Sequence, residues 1–126
     1  MRILKTKTFH SWQKKSDITD DMLVIAVQDM QKGLIDAELG RNLLKKRIAR
    51  KDSGKSSGYR TIVATKKKEN WFFIYGFAKN EKDNITAQEL GGLKDLATYL
   101  LGLSENEVSN SINKKLLNEV KNAKKK

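Results

Sequence analysis

The chain is predicted to fold as an α+β domain, with helices packed on an antiparallel or mixed sheet. Three observations lead there. Two β-branched and aromatic runs, Tyr59 to Thr65 and Trp71 to Phe77, flank a polar, lysine-rich connector, the pattern of an antiparallel hairpin. Apolar residues recur at helical spacing before that pair, at Met22, Leu23, Ala26, Val27 and Met30. They recur again after it, at Leu90, Leu93, Leu96, Ala97, Leu100 and Leu101.

Taken in order, residues 2–9, RILKTKTF, alternate and predict an edge strand whose lysines discourage further pairing. Residues 9–15 suit a short helix bearing Phe9 and Trp12 on one face. Thr19 before Asp20 and Asp21 marks a helix start, because threonine can cap and acids suit the positive end of the helix dipole. Gly33 is its stop, and LIDAELG, residues 34–40, follows as a turn-like connector. RNLLKKRIAR, residues 41–50, fits a basic helix or a strand. The strand is favoured because a three-stranded meander is more stable than a lone hairpin. In that case Leu43 and Lys45 face one side, Leu44 and Lys46 the other.

Strands are predicted over 58–66 and 70–78. Asn84 or Thr86 caps the next helix, with Glu89 in its first turn and Gly102 at its end. Gly91 and Gly92 inside it cost about 1 kcal/mol each relative to alanine, which suggests close packing on the sheet. Ser104 with Glu107 is a capping box for a short further helix, and KLLNEV, residues 115–120, has the length of a last strand. The expected order is β-α-α-β-β-β-α, then that short helix and strand.

At 126 residues this is one domain, over residues 1–120, followed by a basic tail, 121–126, expected to be disordered. The formal net charge of +11 is concentrated: residues 41–68 hold 11 of the 26 basic residues and a single acid, Asp52. Charge localised this sharply points to a polyanionic partner, since Lys and Arg displace counterions from phosphates. The plainer alternative is a solvated basic face that aids solubility. There is no cysteine, so disulfides and thiolate chemistry are excluded. With no apolar run of membrane-spanning length and no secretory signal pattern, a cytoplasmic protein without a membrane partner is expected.

The turn GKSSG, residues 54–58, lacks P-loop spacing and precedes a strand where a P-loop precedes a helix. It is either a flexible connector or a loop that brings Lys55 to a phosphate. His10 is the one histidine and lies far from the basic block. No acid and histidine cluster has metal-ligand spacing, and no Ser-His-Asp set assembles, so neither metal nor cofactor is expected.

Any catalytic groups must therefore be Lys, Arg and Tyr. The candidates at the strand ends are Lys55, Tyr59, Arg60, Tyr75 and Lys79, beside the basic run Lys45, Lys46, Arg47, Arg50 and Lys51 and the polar Asn80. Antiparallel pairing would set Arg60 and Lys79 near one another. Such a set can cleave RNA. Arginine offers a planar fork of donors to phosphoryl oxygens. A lysine crowded by cations loses its proton more readily and can act as a base. A tyrosine can stack on a nucleobase or position a proton, although aromatic residues at strand spacing more often belong to the core.

Three stretches, GLIDAELGRNLLKKRIAR, GKSSGYRTIVA and WFFIYGFAKNEKDNI, resemble the RelE/HigB-like toxins of bacterial type II toxin–antitoxin systems. The similarity is greatest to a HigB-type branch carrying GK-S-x-G-YR and YGFAKNE motifs, and it runs from about residue 9 to about residue 120. The resemblance implies a RelE-like α+β fold: two N-terminal helices and a C-terminal helix on a mostly antiparallel sheet of about four strands, with a concave face for RNA. It implies an endoribonuclease (mRNA interferase) that cleaves messenger RNA in the ribosomal A site and so inhibits translation. With one histidine, no cysteine and a single acid in the basic block, that enzyme is expected to be metal-independent. It also implies a cognate antitoxin, of the helix-turn-helix HigA type.

By motif position Arg60 would stabilise phosphate and Lys79 would be a second catalytic cation, with Lys55 and Tyr59 beside them. Lys46, Arg47 and Arg50 would contact ribosomal RNA. Two features depart from the pattern: Ser57 stands where a second glycine is common, and the lysine-rich end lies outside it. Two competing functions remain, a non-catalytic nucleic-acid-binding module and a ParE-like gyrase poison on the same fold. RNA cleavage in a translation extract separates the first, and an unaffected supercoiling assay excludes the second.

Overall fold

A computed structural model of the chain describes residues 1–49 and 58–121. The Gly54–Gly58 turn up to Ser57, with Lys55, and the basic residues Arg50 and Lys51 lie outside the described residues, as does the tail from residue 122.

The chain order is β1 (Ile3–Thr6), α1 (Lys7–Lys14), α2 (Asp20–Gln31), β2 (Ala37–Gly40), β3 (Leu43–Ile48), β4 (Tyr59–Thr65), β5 (Trp71–Ala78), α3 (Ala87–Leu101), α4 (Glu105–Asn113) and β6 (Leu117–Glu119). Among the described residues there are thus four helices and six strands. The sheet runs β2-β3-β4-β5-β1-β6, with β1 parallel to β5 and its other pairings antiparallel. The α+β class holds. The count of about four strands and one C-terminal helix is corrected, because Ala37–Gly40 of LIDAELG pairs with β3 as β2, and α4 and β6 are both formed.

Each helix begins where a side chain can satisfy an exposed amide. Thr6, Thr19, Thr86 and Ser104 accept from the backbone N–H three residues on. Glu89 and Glu107 return the bond to the amides of Thr86 and Ser104, closing capping boxes. Gly33 after α2 sits at φ +89°, a conformation that glycine adopts without a Cβ clash.

The sheet is buried on both faces. On one, α1 and α2 pack Phe9, Leu23, Val27 and Met30 against Leu44, Tyr59, Val63, Trp71 and Phe73. On the other, α3 and α4 bring Ala97, Leu100 and Val108 over Leu4, Leu43, Ile62, Ala64 and Phe72. β-branched and aromatic side chains on adjacent strands make these two layers mutually reinforcing.

Two expectations are overturned. β1 is not an edge strand: it lies between β5 and β6. Its Lys5 does not face solvent but is 3% exposed, with Nζ 2.8 Å from Gln13 Oε1 and 3.0 Å from Asp20 Oδ1. Burial pushes the Asp20 carboxyl up, but the hydrogen bonds from Gln13 and Lys5 and the lysine charge outweigh it and hold it below its usual value. Nor do Gly91 and Gly92 serve close packing. Both are exposed, and a Cβ at either would meet nothing within 4 Å. The close approach is at Gly76 instead, where a Cβ would lie 2.3 Å from the Trp12 ring.

Candidate nucleic-acid interface

β3, β4 and β5 lie side by side, and their register sets out rows of side chains. Arg47 pairs with Arg60, which pairs with Phe77; two residues along, Lys45 pairs with Ile62 and Ile62 with Tyr75. Ile62 belongs to the α3-side core, so strand alternation puts Lys45, Arg47 and Arg60 on that same face. A bulge on β5, where Val63 pairs with Phe73 but Ile62 with Tyr75, brings Tyr75 round to join them. The rings of Tyr75 and Phe77 are 6.0 Å apart.

Past the end of β5, the Lys79 amide donates to Gly58 O at 3.0 Å, which places Lys79 beside the start of β4 and Arg60. Lys79 Nζ rests 3.3 Å from Asp83 O, and Asn80 next to it is exposed. Lys45, Arg47, Arg60, Tyr75 and Lys79 are all half-exposed. Like charges directly opposed across strands are normally disfavoured. The Arg47–Arg60 pair therefore concentrates positive potential where two aromatic rings begin, an arrangement chemically suited to phosphate contact and base stacking.

Two of the expected site residues lie elsewhere. Tyr59 is 4% exposed on the opposite face, edge-on to Trp12, and its hydroxyl accepts from the Asp17 amide at 3.2 Å. Lys46 is on that face too, with Nζ 3.4 Å from Asp29 of α2 and donating to Leu34 O. The structure thus joins Lys45, Arg47, Arg60, Tyr75 and Lys79, and separates Tyr59 and Lys46 from them. Among the described residues no group of three or more acids or histidines converges as a metal would need.

Two charged residues that sequence reading did not single out for the site meet Tyr75. Lys82 Nζ contacts Glu89 Oε1 at 2.6 Å and the Tyr75 phenol oxygen at 3.3 Å. The Tyr75 O–H donates to Glu89 Oε2 at 3.1 Å. The Lys82 hydrogen bond, helped by the Thr86 amide and Tyr75, draws the Glu89 carboxyl down to about 2. The signal available in the sequence was the capping box, which fixes where α3 starts but not what else Glu89 holds.

A six-stranded mixed sheet with helical layers on both faces defines an α+β protein, with cations grouped beside aromatic rings at one strand end. The chain belongs to the RelE toxin family of RelE/RelB toxin–antitoxin systems, whose family model matches residues 1–120. It is accordingly the toxin of a toxin–antitoxin system, with an antitoxin as partner. No curated protein matches the chain. No helix among the described residues is long and apolar enough to cross a membrane.

Proposed function

We propose that this toxin is a ribosome-dependent endoribonuclease that cleaves translated messenger RNA in the A site, within the HigB-type branch, and that its antitoxin is of the helix-turn-helix HigA type. The observation that carries the reading is the row Arg47–Arg60–Phe77 with Lys79 beside its end. Arg60 offers a planar fork of donors to the phosphoryl oxygens as charge builds on them. Lys79, across from the start of the same strand, stabilises the departing 5′-oxygen or the same oxygens. Lys45 and Arg47 hold the flanking phosphates, and Tyr75 offers its ring to a base. The 2′-oxygen bonds to phosphorus as its hydroxyl gives up a proton, the P–O5′ bond breaks and the 5′-oxygen gains a proton. This leaves a 2′,3′-cyclic phosphate and a 5′-hydroxyl, while cationic side chains offset the phosphoryl charge.

The test is to induce the chain in bacteria and map the 5′ ends of cleaved messages. Ends clustered within translated frames support the reading, whereas intact messages in arrested cells contradict it. The chemistry is tested on the fragments: ligation that requires prior kinase treatment marks a 5′-hydroxyl. Direct ligation marks a 5′-phosphate and overturns the proposed cleavage.

A further inference from the structure

The turn that carries Lys79 and Asn80 runs from β5 to α3, and one side chain ties its two flanks together. Lys82 reaches seven residues back to Tyr75 on β5 and seven forward to Glu89 on α3. Its ammonium contacts both Glu89 oxygens, donates to the Tyr75 phenol oxygen and lies 5.7 Å from the centre of that ring. Glu89 accepts from the Tyr75 O–H on one oxygen and from the Thr86 amide, at 2.8 Å, on the other. Within the turn, the Glu81 and Lys82 amides donate to Ala78 O, and Lys79 Nζ reaches Asp83 O. The turn is therefore fixed to the strand at one side and to a helix start at the other.

We propose that Lys82 and Glu89 are positioning residues of the RNA-cleaving site: they hold Lys79 beside Arg60 and present the ring of Tyr75 to a nucleobase while engaging its hydroxyl. The proposal rests on the ribonuclease reading. It separates two roles a tyrosine could have. The Tyr75 hydroxyl already donates to Glu89 and accepts from Lys82, so it is committed to the turn, and the part of Tyr75 offered to RNA is the ring. It also separates two roles of Glu89. Glutamine can serve as the third residue of a capping box, so Glu89→Gln keeps the helix start and removes the charge that Lys82 pairs with.

The experiment measures cleavage on messenger-programmed ribosomes, together with backbone amide shifts and thermal melts of the free protein. Lys82→Met and Glu89→Gln are expected to lower kcat about tenfold with little change in KM, to shift the amides of residues 79–86, and to melt near wild type. Lys82→Arg, which still donates to Glu89, should recover kcat to within about threefold. Tyr75→Ala, which removes the ring, should raise KM about tenfold and by more than Tyr75→Phe does, and equal KM losses in the two variants overturn the assignment of the ring to RNA.

Wild-type kcat and unshifted turn amides in both Lys82→Met and Glu89→Gln overturn the proposal. So does a loss of activity that matches the loss of folded protein, since that is a structural role alone. A wild-type chain that cleaves nothing on ribosomes overturns the ribonuclease reading instead. In that case the turn amides still report whether Lys82 and Glu89 hold the turn.

Discussion

The two faces of the sheet, made by the same strands, are finished in different ways. On the face under α1 and α2, Tyr59, Lys46 and Lys5 are engaged by protein groups and rings are interlocked. Tyr59 is edge-on to Trp12, Lys46 reaches Asp29, and Gly76 is bare so that Trp12 can lie against the strand. On the face under α3, the apolar layer gives way at one strand end to Lys45, Arg47, Arg60 and Tyr75, all half-exposed. The difference teaches that a motif residue next to one proposed to act on RNA can be there for packing. Tyr59 and Arg60 are adjacent in the YR motif yet point to opposite faces, and Gly76 of YGFAKNE is explained by an aromatic ring rather than by RNA.

The sharpest way to break this contrast is at Gly76. A Cβ there would fall 2.3–2.7 Å from three carbons of the Trp12 ring, and that ring is held between Phe9 and Tyr59. Gly76→Ala should destabilise the protein by about 3 kcal/mol, at the upper end of overpacking costs, as measured by chemical denaturation. Adding Trp12→Ala should make the second cost far smaller than its single-mutant value, since the two residues share one space. Additive effects would show that the glycine is required for another reason.

The adjacent lysines of β3 give a smaller and more pointed comparison. Lys46→Ala breaks a half-buried pair with Asp29 and should cost about 1 kcal/mol of stability. Lys45→Ala, on the α3-side face and hydrogen-bonded only loosely to Asn84 at 3.5 Å, should leave stability within about 0.5 kcal/mol. It should instead weaken ribosome binding and flatten its salt dependence. Comparable stability losses in the two variants would remove the distinction between the faces at β3.

α3 supplies a gain rather than a loss. Gly91 and Gly92 are exposed in a helix with nothing near their missing Cβ atoms. Alanine at either position should stabilise the protein by about 0.4–1 kcal/mol, readable as a higher Tm.

The smallest effect concerns the tie at Tyr75. Glu89 is held at about 2, below its ordinary value of 4.5, so its contribution to stability is complete above about pH 4.5 and fades as pH falls toward about 2. A carboxyl-carbon NMR titration should show Glu89 moving back toward the ordinary range in Lys82→Met, because Lys82 is the largest cause of the shift.

Much of this architecture was legible where its cause is local. Caps at Thr19, Thr86 and Ser104, the stop at Gly33, and the β4–β5 pairing follow from side chains a few residues apart. What failed depended on distant partners. Alternating lysines normally mark a solvent edge, but Lys5 is buried because Gln13 and Asp20 arrive from two helices. The parallel pairing of β1 with β5 joins Ile3 to Trp71, which no local pattern announces. Within the site, Arg60 and Lys79 could be set near one another from antiparallel pairing alone. The face each residue takes could not, because it depends on which helices cover which side. That is why Tyr59 was grouped with Arg60, and why Lys82, which meets Tyr75 only through the turn, was passed over.

The central claim is that the α3-side strand end acts on RNA while the other face holds the fold. It is tested most directly by comparing Arg60→Ala with Tyr59→Ala in two measurements, cleavage on programmed ribosomes and thermal melting. Arg60→Ala should lose about 3–4 kcal/mol of transition-state stabilisation, a cleavage rate lower by about 10²–10³, with its Tm near wild type. Tyr59→Ala should melt well below wild type, by the about 3–5 kcal/mol expected for truncating a buried aromatic ring. Wild-type cleavage by a folded Arg60→Ala variant would contradict the account, and so would an Arg60→Ala variant that fails to fold.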